Sequence, residues 1–162
     1  MRILGIDPGY AIVGYGVLDY ENNKFKVVEY GAVTTSADKN MFDRLKSVYD
    51  DMCEVIERVK PDFMAIEELF FNSNQKTAIN VAQSRGVLLL AAMNNGIEIY
   101  EYTPLQVKQA VAGYGRADKN QVQQMVKLLL GLKQVPKPDD TADAVAIAIC
   151  HGHSYNPRRK TY

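Results

Sequence analysis

Residues 1–9 read MRILGIDPG, and this stretch decides the fold of the chain. The apolar residues before Asp7 predict a buried strand, which Pro8 and Gly9 end. Asp7 therefore closes a buried strand, where a charge is uncommon unless it is paired or binds a metal. The alternative is that Asp7 only begins a turn, accepting a hydrogen bond from a backbone N–H two residues on. Partners for Asp7 elsewhere in the chain would decide between the two.

The length and composition of the chain favour one domain. A chain of 162 residues can bury a full core without disulfides or a structural metal, and its two cysteines are too few for a disulfide framework. The first residues do not resemble a signal peptide, and no apolar stretch approaches the roughly 20 residues of a membrane helix. We therefore predict a soluble, cytoplasmic protein with a single domain over residues 1–155 and a short, mobile basic tail over residues 156–162.

Charge is distributed unevenly along the chain although the net charge is zero. Residues 1–70 carry 13 acidic and 8 basic side chains, whereas residues 71–162 carry 6 acidic and 11 basic ones. The second half contains a basic run made up of Lys108, Arg116, Lys119, Lys127, Lys133 and Lys137. This run predicts either a phosphate-binding surface or an ordinary solvated helix face.

Hydrophobic periodicity predicts a mixed α/β domain. Short segments that are apolar or rich in Val, Ile, Tyr and Phe predict strands over residues 1–7, 11–20, 24–35, 62–68 and 97–102. Apolar residues spaced by three and four predict helices over residues 36–60, 75–94, 104–112, 119–130 and 140–151. The first three strands follow one another too closely for a crossover, so we expect them to be antiparallel.

Three more carboxylates lie at the ends of predicted buried elements. Glu67 ends the fourth strand, and strand alternation separates it from Glu68, so only one of these two can join Asp7. Asp140 and Asp143 share one face of the almost wholly apolar last helix. Asp140, or Asp139 before it, could instead cap that helix.

Four gathered carboxylates would repel one another unless a cation neutralised them. Two such charges about 4 Å apart cost roughly 4 kcal/mol at an effective dielectric of 20. Mg²⁺ and Mn²⁺ prefer oxygen ligands, and two such ions can activate a water and stabilise the leaving oxygen of a phosphodiester. The pattern therefore indicates a site for two metal ions.

Three segments, GIDPG (5–9), AIEELF (65–70) and DDTADAVAIAICH (139–151), resemble the RuvC family of bacterial Holliday junction resolvases. QSRGV (83–87), QVKQAV (106–111) and DKNQVQQMV (118–126) also fit. The resemblance implies a ribonuclease H-like fold, in which a five-stranded mixed sheet of three antiparallel and two parallel strands is flanked by helices. It also implies an Mg²⁺-dependent endodeoxyribonuclease, with Mn²⁺ as a substitute, that resolves four-way DNA junctions in recombination and repair.

By the same resemblance, specific side chains acquire roles. The metal-binding catalytic acids are Asp7, Glu67, Asp140 and Asp143. The resemblance implies base stacking for Phe70 and phosphate contacts for Lys108 and Lys119, and we also expect the basic residues Lys76 and Arg116 to contact DNA. Family members act as homodimers, and the small residues of the helix over 75–94 make it our candidate for the dimer interface. The branch-migration proteins RuvA and RuvB are implied as partners.

Other interpretations of the sequence stay open at this point. An actin-like or sugar-kinase-like ATPase uses a similar Asp-x-Gly turn but needs two lobes, for which this chain has no room. A ribonuclease H-type nuclease acting on RNA/DNA hybrids, or a non-catalytic nucleic-acid-binding domain of the same fold, would share the sheet. Cys150, His151 and His153 suggest a zinc site, but a structural site needs four ligands.

Overall fold

The computed structural model describes residues 1–69 and 75–156, without the side chains of Gln75 and Lys76. The strands within these residues are β1 (Arg2–Asp7), β2 (Ile12–Glu21), β3 (Lys24–Thr34), β4 (Phe63–Glu67) and β5 (Glu98–Tyr102). The helices are α1 (Met41–Val59), α2 (Gln75–Asn94), α3 (Pro104–Ala112), α4 (Lys119–Leu129) and α5 (Asp139–Ser154).

The strands form one mixed sheet in the order β3-β2-β1-β4-β5. β1, β2 and β3 are antiparallel neighbours, joined by connections too short for a crossover. β4 lies parallel to β1 and β5 lies parallel to β4, because α1 and α2 return the chain to the same end of the sheet. The predicted arrangement of three antiparallel and two parallel strands is confirmed.

Each face of the sheet carries its own hydrophobic core, because successive strand residues point to opposite faces. Leu4 and Ile6 of β1 pack with α1 and α2 on one face. Ile3 of the same strand and Ala65 of β4 pack with α3, α4 and α5 on the other. Asp7 continues the alternation of Ile3, so its side chain belongs to the face that α5 covers.

Helix α1 begins at Met41, later than the predicted start at residue 36. The side chain of Asn40 accepts a hydrogen bond from the Asp43 N–H at 3.0 Å, which caps the helix and starts it at Met41. Lys60 follows the helix in the left-handed conformation and Pro61 prevents its continuation. The predicted start at residue 36 was too early, because the apolar spacing begins only at Met41 and residues 36–40, SADKN, carry no apolar stripe.

Helix α5 lies directly on the backbone of β1 and β2, and glycines make this possible. Gly5 and Gly16 face each other across the two strands. A Cβ atom at Gly5 would lie 2.2 Å from the Ala144 carbonyl oxygen, and one at Gly16 would lie 2.5 Å from the Val145 side chain. The close approach buries α5 on nearly all sides, which explains why its sequence is apolar all round.

Two expectations concern the extent of the chain. In the part of the chain that the structure describes, no helix has both the length and the apolar character needed to cross a membrane. The predicted tail lies outside the described residues from residue 157 onward, so the division into a domain over 1–155 and a tail over 156–162 stays a prediction.

Candidate active site

Asp7 and Glu67 meet at the ends of neighbouring parallel strands. Ile6 of β1 is paired with Ile66 of β4, and each acid is the next residue of its strand. Neighbouring strands lie about 4.8 Å apart, and residues in register on parallel strands point to the same face. The structure therefore brings these two carboxylates side by side, below the first turns of α5.

Asp140 and Asp143 approach Asp7 from above, on the first two turns of α5. Gly14 is the partner of Asp7 in the β1–β2 ladder, and a Cβ atom at Gly14 would lie 1.9 Å from the Asp140 carbonyl oxygen. A residue with any side chain at this position would push the start of α5 away from the sheet. The charges of Asp140 and Asp143 both act on Asp7, which places all four predicted acids in one cluster.

The expected helix cap at the start of α5 is wrong. Pro138 is the N-cap residue, and it makes no side-chain hydrogen bond to the helix. Asp139 instead accepts a hydrogen bond from the Lys137 side chain at 2.8 Å. The acids at this helix start are therefore engaged by lysine or directed to the cluster, because Pro138 occupies the cap position.

Burial and mutual repulsion raise the pKa values of three acids in the cluster. Burial, and then the charges of Asp143, Glu67 and Asp140, raise the pKa of Asp7 to about 8. Burial is also the main cause that raises the pKa of Glu67 and of Asp143. These carboxylates are held close together at a cost, which an added cation would relieve.

Two lysines line the cleft above the acids. Lys119 is the first residue of α4, and its Nζ lies 2.8 Å from Asp143 Oδ2. Lys108 of α3 offsets part of the rise in the pKa of Glu67 and lines the same cleft, whose volume is about 190 Å³. The sequence prediction placed both lysines beside the acids, and the structure places them there.

Two polar residues of α2, to which sequence analysis gave no role, hold the strand ends in position. The buried Ser84 hydroxyl donates a hydrogen bond to the Gly9 carbonyl oxygen. Arg85 donates through Nε to the Glu67 carbonyl oxygen at 3.1 Å, and pairs through Nη2 with Glu101 at 2.7 Å. The available signal was a Ser-Arg pair directly before the apolar run of this helix.

Glu68 and the remaining predicted DNA contacts have different surroundings. Glu68 lines a separate cavity of about 510 Å³ beside β5. Arg116 is exposed in the turn before α4 and makes no hydrogen bond or ion pair with other described residues. Phe70 and the side chain of Lys76 lie outside the described residues.

The suggested zinc ligands near the end of α5 have separate partners. His151 is fully buried and its Nδ1 lies 2.8 Å from the Tyr102 hydroxyl. His153 Nδ1 lies 3.1 Å from the Ala110 carbonyl oxygen, while Cys150 contacts Ser154. The side chains therefore point toward different neighbours and do not share one centre.

The chemistry of the acid cluster suits a hard divalent cation. Within residues 1–69 and 75–156, no group of three acidic, histidine or cysteine side chains is close enough together to bind one metal ion without moving. Lys119 holds one oxygen of Asp143, and repulsion opposes closer approach of the others. The candidate donors are nevertheless all carboxylate oxygens, which are the ligands that Mg²⁺ and Mn²⁺ prefer, and a bound cation would offset the raised pKa values of Asp7, Glu67 and Asp143.

Known proteins resemble this chain over almost its full length. The sequence model of one family, crossover junction endodeoxyribonuclease RuvC, matches residues 3–151. The protein of that name from Clostridioides difficile is 62% identical over 161 residues, covering 99% of this chain and 95% of the relative. Its counterpart from Halothermothrix orenii is 59% identical over 160 residues, covering 99% and 97%.

Solved structures agree with the sequence relatives. Thermus thermophilus RuvC is 38% identical, covers 94% of each chain and superposes with a TM-score of 0.88. The structure of T. thermophilus RuvC in complex with Holliday junction substrate gives 36% identity, the same coverage and a TM-score of 0.86. The yeast mitochondrial Holliday junction resolvase, at 14% identity and a TM-score of 0.65 over 93% of this chain and 78% of its own, shares the fold. The chain therefore has the predicted ribonuclease H-like fold and belongs to the RuvC family of crossover junction endodeoxyribonucleases.

Proposed function

We propose that this chain is an endonuclease that resolves four-way DNA junctions in recombination and repair by metal-dependent hydrolysis of phosphodiesters in symmetric strands. The observation that most directly supports this function is the cluster of four acids beneath two lysines, in a chain that belongs to the RuvC family. The relative from T. thermophilus is seen with a Holliday junction substrate, which supports the same substrate for this chain.

The proposed catalytic residues are Asp7, Glu67, Asp140 and Asp143, acting as ligands for Mg²⁺, with Mn²⁺ as a substitute. When bound, a pair of such ions would supply the charge that activates a water and stabilises the leaving oxygen. Asp7 lies deepest and feels the charges of the other three acids, so it is the ligand best placed to be shared. The adjacent strand ends fix Asp7 and Glu67, while α5 fixes the other two acids.

The lysines above the acids provide the binding surface for the substrate. Lys108 and Lys119 lie in the cleft where a phosphate would meet the carboxylates, so they would position the scissile phosphate without reading sequence. Arg116 is exposed near the start of α4 and is proposed to contact a neighbouring phosphate. Base stacking by Phe70 and a phosphate contact by Lys76 are proposed from the sequence alone.

We also propose that the chain acts as a homodimer, because a four-way junction presents two symmetry-related strands to cut. α2 exposes an apolar stripe at helical spacing, formed by Ile79, Leu90 and Met93, whose exposed fractions are 57%, 51% and 64%. Gly86 lies between them, and a Cβ atom there would meet nothing within 4 Å among the described residues outside its own stretch of helix. Such a stripe fits a twofold helix–helix interface. Sedimentation of the full chain tests this proposal, and a monomer at micromolar concentration would contradict it. RuvA and RuvB are proposed as partners on the family resemblance alone.

Cleavage of a matched set of nucleic acids tests the proposed function. We expect Mg²⁺-dependent paired nicks in a synthetic four-way DNA junction, no cleavage of linear duplex of the same sequence, and loss of all cleavage in excess EDTA. Cleavage of an RNA/DNA hybrid in preference to the junction would instead identify a ribonuclease H-type enzyme. Junction binding without cleavage in either metal would identify a non-catalytic domain.

A further inference from the structure

The Lys119 ammonium group lies close to two acids of α5, Asp143 and Asp139. Its Nζ is 2.8 Å from Asp143 Oδ2 and 3.8 Å from Asp139 Oδ2. The other oxygen of Asp139 accepts a hydrogen bond from Lys137 Nζ at 2.8 Å. Asp139 is therefore held by Lys137 through one oxygen, while its second oxygen faces Lys119.

This arrangement creates a competition at Asp143 if that residue is a metal ligand. An ammonium group and a divalent cation cannot both occupy the position directly in front of the same carboxylate oxygen. Lys119 must then leave Asp143 Oδ2 before the metal binds, and the lost ion pair subtracts from the affinity for the metal. The size of that cost depends on where the ammonium group can go.

After Asp143, Asp139 is the carboxylate nearest to the Lys119 ammonium group among the described residues. The backbone of Lys119 is fixed, because Asp118 and Gln121 form a capping box at the start of α4. The side chain has four flexible carbons, so a small rotation exchanges Asp143 for Asp139 without moving the helix. The ammonium group then stays at the rim of the cleft, where a phosphate would enter.

We propose that Asp139 is a positioning residue that receives the Lys119 ammonium group when a divalent cation takes Asp143, and so sets the metal affinity of the site. This inference rests on the proposed function of the four acids. It assigns to Asp139 a role that acts through Lys119 and requires no contact with the metal or with DNA.

Mn²⁺ binding to the full chain without DNA tests this role, with free Mn²⁺ measured by electron paramagnetic resonance. We expect Asp139→Asn to weaken Mn²⁺ binding about threefold to fivefold, the size of a partly exposed ion pair. Lys119→Met should strengthen binding by a similar factor, because the competing ammonium group is gone. In the Lys119→Met background, Asp139→Asn should change the affinity by less than about twofold.

The coupling between the two positions separates positioning from a general charge effect. If Asp139 only adds negative charge near the site, Asp139→Asn weakens binding equally with and without Lys119, and the inference is overturned. Asp139→Glu should restore most of the affinity, since it keeps an acceptor for the ammonium group. Asp50→Asn is the matched control, because Asp50 pairs with Lys46 on the remote α1 and its loss should leave Mn²⁺ affinity unchanged.

The same titrations distinguish failure of this inference from failure of the proposed function. If the parent chain binds no Mn²⁺, or if Asp7→Asn leaves binding intact, the metal site itself is refuted. If the parent binds Mn²⁺, Asp7→Asn abolishes binding and the effects at Asp139 and Lys119 add independently, only the role of Asp139 is refuted.

Discussion

Helix α5 carries a polar centre near each end, half-buried at its start and fully buried at its end, and the two centres are built differently. At its start, Asp143 joins Asp7 and Glu67 in a cluster in which like charges and burial raise pKa values. At its end, His151 is enclosed by aromatic rings, and the Tyr102 hydroxyl contacts its Nδ1. Burial there lowers the pKa of His151 to about 4, so the imidazole stays neutral.

The difference separates a site that needs a ligand from one that is part of the core. His151 stays neutral and its Nδ1 contacts the Tyr102 hydroxyl, although its Nε2 has no hydrogen-bond partner among the described residues. The acids cannot all be neutralised by the described lysines, and their repulsion lowers the stability of the metal-free fold. Perturbed pKa values occur in both centres, and only the geometry of like charges in an open cleft indicates catalysis.

Removing the central acid should have the largest effect. Asp7→Asn should reduce junction cleavage by about 10³-fold or more, because a ligand shared by two metal ions, the role proposed for Asp7, would contribute several kcal/mol to charge stabilisation. The folded-state pKa of about 8 lies above the ordinary 3.8, so the metal-free parent loses stability as pH rises between these values. Asp7→Asn should remove the part of this loss that comes from Asp7, so its free energy of unfolding at pH 8 should exceed that of the parent by several kcal/mol.

Cleavage of a four-way junction and urea unfolding in EDTA measure the two effects of Asp7→Asn. A variant that keeps parental cleavage, or that is less stable than the parent at pH 8, would mean that Asp7 belongs to an ordinary turn. The start of α5 would then hold no more of a ligand site than its end does.

Gly14 beneath the start of α5 and Gly152 near the end of α5 should differ in their tolerance of a methyl group. Gly14→Ala places a Cβ atom 1.9 Å from the Asp140 carbonyl oxygen, so the helix start must move. We expect a loss of about 3 kcal/mol in unfolding free energy, with cleavage lost as well. Gly152→Ala meets the Phe25 ring at 2.4 Å, a side chain that can turn aside, and alanine favours the helix.

Unfolding of both glycine variants by urea measures this difference, with a net change near zero expected for Gly152→Ala. Equal losses for the two variants would mean that close packing of α5 is no more demanding at the acids than at the histidine. Junction cleavage by Gly152→Ala should match the parent, since Gly152 lies at the far end of α5 from the acids.

The histidine centre should produce the smallest effect, with a pH dependence opposite to that of Asp7. The pKa of His151 falls from 6.5 unfolded to about 4 folded, so the unfolded chain binds the proton first as pH drops. Titration of His151 should therefore lower the unfolding free energy of the parent by roughly 2 kcal/mol between pH 6.5 and 4. His151→Gln keeps a hydrogen-bonding group for Tyr102 but cannot titrate.

Stability of the parent and of His151→Gln across this pH range isolates the histidine contribution, because the acids titrate alike in both proteins. As the pH falls from 6.5 to 4, the unfolding free energy of the parent should fall relative to that of His151→Gln. A constant difference would show that folding does not lower the pKa of His151. Junction cleavage at neutral pH should be unchanged in His151→Gln.

The sequence alone determined the strands, the helices and the face on which two of the acids lie. Strand alternation is a local property, so the positions of Asp7 and Glu67 followed from their neighbours, as did burial of the apolar α5. The family resemblance then named all four acids before any contact was visible.

Only the tertiary structure decided how these groups contact one another. Sequence periodicity does not specify which lysine reaches Asp143, that Arg85 holds the Glu67 carbonyl oxygen, or that Asp139 binds Lys137 in place of capping its helix. These contacts depend on how closely α5 approaches the sheet, which Gly5, Gly14 and Gly16 set. Residues far apart in the chain meet only after that approach is made, because charge pairing acts over a few ångströms in space and not along the sequence.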